Sequence, residues 1–191
     1  MTVVDDTQSS TKNQIRLNDT FISHSNKHHG EQLDYNMRHN SIQVKKDLEI
    51  SFQRTIRMPD DNKLHQLPGS LGDIRIFNVE EYRDRLPQHI RDCGGLFLPM
   101  WQREAMWINF QSSSSVSGMH WAIRVFAGKI NAISGFSMDS KKPGKRSGEP
   151  QQDYVVIPGQ RWLDGICVAP GVVRQFVAMP RKSLICSVIL F

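Results

Sequence analysis

The stretch "PMWQREAMWINF", residues 99–110, sets three consecutive polar side chains, Gln102, Arg103 and Glu104, inside a run of large apolar ones. Its second half, "AMWINF" at 105–110, is rich in aromatic and apolar residues. It lies between that polar triplet and the serine-rich "QSSSSVSG" at 111–118, which predicts a short strand. If the strand conformation extends back through the triplet, Gln102 and Glu104 share one face and Arg103 takes the other. In a helix the three point to different faces. In neither case do Arg103 and Glu104 form an isolated pair poised for acid–base work.

Segments of strand length continue on both sides. Downstream, "MHWAIRVFAGKINAISG" at 119–135 predicts a β-hairpin turning around Ala127, Gly128 and Lys129. "DYVVIPGQRWLDGICV" at 153–168 reads as strand, turn, strand, and "GVVRQFVAMP" at 171–180 as a further strand ended by Pro180. Upstream, "SFQRTIRMP" at 51–59 alternates Phe52, Ile56 and Met58 with Gln53 and Arg57 and ends at Pro59. The apolar spacing starts near Leu48. Ile74–Phe77 reads as a short strand, and "LFLPM" at 96–100 as a short buried one.

Between them, "NVEEYRDRLPQHIRDCGG" at 78–95 predicts a helix. Asn78 is placed to cap it, Glu80 and Glu81 lie where a helix N-terminus favours negative charge, and Pro87 ends or kinks it. About seven short strands with one or two short helices make the chain mainly β (α+β), an antiparallel β-sandwich or open barrel. A parallel α/β fold fits poorly, because long crossover helices are missing.

Apolar residues make up 39% of the 191 residues and are spread unevenly. Residues 1–50 are rich in Asn, Gln, Ser, Asp and His and are expected to be a disordered polar tail. Residues 51–181 are then the β-rich domain, and 182–191 a short apolar C-terminal tail. The net charge of +5 is a mild excess, which favours acidic partners without identifying nucleic acid. Arg54, Arg57, Arg103, Arg124, Arg161 and Arg174 are distributed among the strands, so nucleic-acid binding rests on their converging on one face. The basic run "KKPGKR" at 141–146 reads as an exposed loop.

Cys93, Cys167 and Cys186 are odd in number and widely spaced, which argues against a disulfide framework and a thiolate zinc site. Reduced thiols point to an intracellular, cytoplasmic location. The N-terminus has no basic start followed by an apolar core, and no window is long and apolar enough to span a bilayer. His24, His28 and His29 lie in the polar tail, where nothing preorganises a metal site. There is no phosphate loop, nucleophile elbow or dinucleotide fingerprint, and no metal or cofactor is expected.

"FQRTIRMPDD", "GGLFLPMWQREAMWINF", "KINAISG", "QDYVVIPGQRWLDGI" and "GVVRQFVAMP" together resemble blocks of a protein family of bacteria and fungi with no assigned activity. The resemblance covers about residues 52–180. It implies a β-rich domain and supplies no reaction. Members of that family continue with further β-rich sequence, so the ending "RKSLICSVILF" implies a C-terminally truncated form whose sheet keeps an open edge.

Three constellations are candidates for a site. Glu104 is expected either in a pocket walled by Trp101 and Trp107 or paired with an arginine elsewhere, locking the fold. In "PGQRWLDG" at 158–165, Trp162 forms an aromatic platform beside Asp164, or else caps the core. Arg174 and Gln175 point to opposite faces of a strand, and an inward Arg174 needs Asp164 or Glu104 as its partner. The expected ligand surface is Trp101, Gln102, Glu104, Trp162, Asp164 and Arg174. It belongs to a soluble binding module for a small molecule, a carbohydrate or a protein partner. The alternatives are a hydrolase using Glu104 or Asp164 as acid/base, and a truncated chain without activity of its own.

Overall fold

Two strands of eight residues, Leu48–Thr55 and Ala105–Ser112, pair antiparallel along their whole length, Leu48 opposite Ser112 and Thr55 opposite Ala105. Alternation along a strand sends successive side chains to opposite faces. Leu48, Ile50, Phe52, Met106, Ile108 and Phe110 therefore share one face, where each is at most 1% exposed. Burying side chains of this size stabilises the fold by roughly 1.5–3 kcal/mol apiece. Glu49, Ser51, Gln53, Trp107, Asn109 and Gln111 occupy the other face.

The computed structural model describes residues 2–5, 35–59, 61, 63, 65–113, 118–139, 152–179 and 188–189. In it the central pair grows into a sheet of eight strands. Ser41–Val44 pairs with Leu48–Ser51 and carries Tyr35–Met37 on its far side, while Gly72–Asp73 covers the other end of the same edge at Gln53 and Arg54. Across the sheet, Val172–Val177 pairs with Ala105–Ser112 through Phe176 and Val177, and Trp162–Leu163 pairs with it at Asn109 and Ile108. Gly165–Ala169 forms the outermost strand, antiparallel to Val172–Val177. All these pairings are antiparallel.

A smaller sheet closes the core. Trp121–Arg124 lies between Thr2–Asp5 and Val155–Ile157. Trp121, Ile123, Val155 and Ile157 are at most 1% exposed and join Phe52, Ile108 and Phe110 in one apolar cluster. The indole of Trp121 still donates a hydrogen bond, to Oδ2 of Asp47 at 3.3 Å, which satisfies its one polar atom. Asn131, 3% exposed, ties the following loop down. Its Oδ1 accepts from the N–H groups of Ile133 and Ser134, and its Nδ2 donates to the carbonyl of Asp153.

The antiparallel, β-rich class expected from the sequence is the observed one, with two short helices. Several details differ. Tyr35–Met37 and Ser41–Val44, which fall within the expected tail, are strands of the main sheet, because Ile42, Val44, Leu48 and Ile50 alternate into the core. Residues 6–34 of the expected tail, the basic run at 141–146 and Cys186 lie outside the described residues, whereas Thr2–Asp5 and Val188–Ile189 are strands. The expected helix is divided at Pro87 into a 3-10 helix, Glu80–Arg85, and an α-helix, Gln88–Cys93. Asn78 does turn the chain into it, its Oδ1 accepting from the N–H of Glu80 at 3.0 Å. The expected hairpin at 119–135 shrinks to Phe126–Ala127 against Ile130–Asn131, around Gly128 and Lys129. Trp121–Arg124 instead pairs with Val155–Ile157. Ile74–Phe77 is not one strand, since Gly72–Asp73 and Phe77–Asn78 join different sheets. Among the described residues no helix is long and apolar enough to cross a membrane.

Candidate functional site

Residues directly opposite on paired strands share a face, so the register of the main sheet lays its outer side chains in rows. Asn36, Gln43, Glu49 and Gln111 form one row. Ser41, Ser51, Asn109 and Trp162 form the next, and Asp73, Gln53 and Trp107 a third. A face of amides, hydroxyls, carboxylates and indoles is thus presented on a rigid scaffold whose reverse side is the apolar core.

The middle of this face is locked by hydrogen bonds. Gln53 Nε2 donates to Ser51 Oγ at 3.1 Å and to Asp73 Oδ1, and Gln53 Oε1 accepts from Ser70 Oγ at 2.7 Å. Asn109 Nδ2 donates to Ser51 Oγ at 3.2 Å. Thr55 Oγ1 meets the carbonyl of Gly69 at 3.0 Å, and the N–H of Leu71 donates to the carbonyl of Arg54 at 2.8 Å. These bonds pin the segment around Gly69–Asp73 against the end of the sheet and raise a wall beside Gln53. That wall is why Ser51 and Gln53 are only 8% exposed on a face that is otherwise open.

A concavity of about 400 Å³ results, lined by Asn40, Ser41, Glu49, Ser51, Gln53, Asp73, Trp107, Asn109 and Gln111. This volume suits a small ligand. Not every polar group in it is partnered. The indole N–H of Trp107 is buried with no acceptor among the described residues, where an unmet donor is costly. Glu49, partly exposed, stands between Gln43 and Gln111 in its row. Trp162, 51% exposed, stands opposite Asn109 on the same face. By sheet geometry it is a diagonal neighbour of Trp107, roughly 7–8 Å away.

The residues expected to form one ligand surface are not brought together. Trp101, Gln102 and Glu104 lie before Ala105, whereas Trp162 pairs at Asn109, about 13 Å further along the strand. Glu104 lines no pocket with Trp107. Its Oε1 is 2.5 Å from Arg54 Nε, and its Oε2 accepts from the backbone N–H of Trp101 at 2.8 Å. It is a structural anchor because its neighbours supply the donors a part-buried carboxylate needs. Trp101 is 79% exposed on the tight turn through Gln102 and Arg103, where Arg103 takes φ 70°. The turn is held by hydrogen bonds linking the backbones of Arg103 and Glu104 to Ala178.

Arg174 is exposed and pairs with neither Asp164 nor Glu104, because its strand has turned away from the central pair and faces Ile166. Asp164 contributes its backbone carbonyl to Phe176 N–H at 3.1 Å. Of the expected set, Trp162 alone belongs to the polar face. Of the strand arginines, Arg54 pairs with Glu104 and Arg124 with Asp153 at 3.0 Å.

Sequence reasoning missed Asn40, Ser41, Glu49, Ser51, Gln53, Asp73, Trp107, Asn109 and Gln111 as a site. The usable signal was the alternation "SIQV" and "LEISFQ", whose polar positions are the face. Among the described residues no group of three His, Cys, Asp or Glu side chains is placed to hold a metal ion. No family model matches the chain, and no curated protein or solved structure matches it.

Proposed function

We propose that the protein is a binding module for a small polyhydroxylated ligand of the carbohydrate type, held on the polar face of the main sheet. The observation that carries this reading is the concave row structure itself. Fixed donors and acceptors (Ser51, Gln53, Asn109) adjoin uncommitted ones (Glu49, Gln111), with an exposed indole, Trp162, opposite Asn109 on the same face. Hydroxyl groups both donate and accept, so a polyol matches such a mixed lining. The flat apolar side of a sugar ring packs on an indole. Presentation on paired strands limits the ordering cost of binding.

Binding is favoured over hydrolysis. Glu104 is spent on Arg54. Glu49 and Asp73 stand at opposite ends of the face, Asp73 being opposite Gln53, four residues along the strand and about 13 Å by strand rise. Asp73 is also engaged by Gln53 Nε2, so it is not a free acid or base.

The test is a titration of the isotope-labelled chain with neutral mono- and oligosaccharides, followed by amide and indole N–H resonances. The expected result is saturable shifts confined to Ser51, Trp107, Asn109, Gln111 and Trp162, lost in Asn109→Ala. Shifts centred on Trp101 and Glu104, or none with any sugar, would overturn the assignment.

A further inference from the structure

The cavity differs in charge from the chain that builds it. The chain carries 24 Lys and Arg against 19 Asp and Glu. The cavity is lined by two carboxylates, Glu49 and Asp73, and by no Lys, Arg or His. Cations near its strands are turned elsewhere. Arg54 lies against Glu104, and Lys45 Nζ sits 5.7 Å from the ring centroid of Trp121, a core residue.

The two carboxylates are not equivalent. Asp73 accepts from Gln53 Nε2 and is part of the locked network. Glu49 has no hydrogen bond or ion pair among the described residues, and its row neighbours Gln43 and Gln111 are neutral. Gln43 is occupied as well, donating to the carbonyl of Leu48 at 3.1 Å. A carboxylate only accepts, so Glu49 selects a ligand that donates, and most strongly one that donates with a positive charge.

Resting on the sugar-binding reading above, we infer that the ligand is cationic: a sugar bearing a free ammonium group, with the ammonium on Glu49. The same lining disfavours anionic sugars, whose carboxylate or phosphate would meet Glu49 and Asp73 with no basic residue to offset them.

The probes are D-glucose, N-acetyl-D-glucosamine, D-glucosamine and D-glucuronate. They are titrated at mildly acidic pH, where the amine is protonated and an ordinary carboxylate is charged. D-glucosamine is expected to bind about tenfold more tightly than glucose or its N-acetyl form, the gain from one charge-assisted contact, with the preference shrinking as salt is raised. D-glucuronate is expected to bind weakest. In Glu49→Gln the ratio of glucosamine to glucose affinity is expected to fall to about one.

Equal affinities for the neutral and amino sugars, or tighter binding of glucuronate, would overturn the charge assignment and leave the sugar site standing. A glucosamine preference that survives in Glu49→Gln would overturn the role of Glu49. Failure of all four sugars to bind would overturn the parent reading instead.

Discussion

Arg54 and Glu104, fifty residues apart in sequence, close one end of the main sheet: Nε of the arginine lies 2.5 Å from Oε1 of the glutamate, with side chains 34% and 15% exposed. The second oxygen of Glu104 accepts the N–H of Trp101, so one carboxylate joins the strand Leu48–Thr55 to the turn that leads into Ala105–Ser112. Removing the acceptor leaves a guanidinium and a backbone N–H unmet. Glu104→Ala is expected to lower stability by about 1–3 kcal/mol, with the value kept toward the lower end by the solvent that still reaches Arg54. Glu104→Gln should recover part of the loss, because its amide oxygen still accepts. Urea unfolding of both variants checks this. Sugar binding that disappears in Glu104→Gln at unchanged stability would contradict the anchoring role.

Trp162 is the element of the proposed site whose loss the fold tolerates best. It is half exposed, while its neighbour Leu163 is 6% exposed and carries the strand's apolar burial. Trp162→Ala is expected to weaken sugar binding at least tenfold while shifting the melting temperature by less than about 2 °C, as for a surface substitution. Leu163→Ala is the contrasting variant and should cost about 2–5 kcal/mol as a core truncation. A large stability loss in Trp162→Ala would return that indole to the core.

The class and most strand positions were legible because the driving signal is local. "AMWINF" and "SFQRTIRM" alternate at the strand period, and the proline and glycine punctuation falls where strands end. The polar face was not legible, because its alternate positions look the same whether they face bulk water or a wall built from elsewhere. Here the wall is the segment around Gly69–Asp73, and only the tertiary fold lays it beside Gln53. Asn40, Ser41 and Glu49 were further hidden by composition. Ile42, Val44, Leu48 and Ile50 keep the period, but they follow a polar stretch that dilutes any window average. Arg54 as the partner of Glu104 was beyond reach for a related reason. Sequence reasoning favoured some arginine, and only the antiparallel register, which sets Arg54 opposite Met106, singles out this one.

Gly165 is fixed by close approach rather than by turn conformation. It stands opposite Gln175 where the two outer strands of the main sheet meet, and a Cβ built there would lie 1.9 Å from the carbonyl oxygen of Arg174. No side-chain rotation relieves a clash with backbone, so the strands must separate. Gly165→Ala is expected to destabilise by about 1–3 kcal/mol or more. It should also broaden the resonances of Asp164 and Trp162, which precede it. Gly69→Ala is the control, since a Cβ there meets nothing within 4 Å. Equal stabilities of the two variants would refute the close-packing account.

Asp61 supplies a pH-dependent contact away from the site. Its carboxylate titrates below the ordinary aspartate range, held down chiefly by the hydrogen bond with His65 Nε2 at 2.7 Å and next by the N–H of Lys63 at 3.1 Å. A folded-state value below the unfolded one, about 3.9, means that the contact contributes above that value and is lost as pH falls through the folded one. The group is exposed, so the effect is local. The Asp61 carboxyl carbon resonance should titrate at a lower pH than that of a free aspartate and move back toward it in His65→Ala. Melting near neutral pH should be unchanged in that variant. A midpoint that His65→Ala leaves unmoved would show the backbone N–H of Lys63 to be the dominant partner.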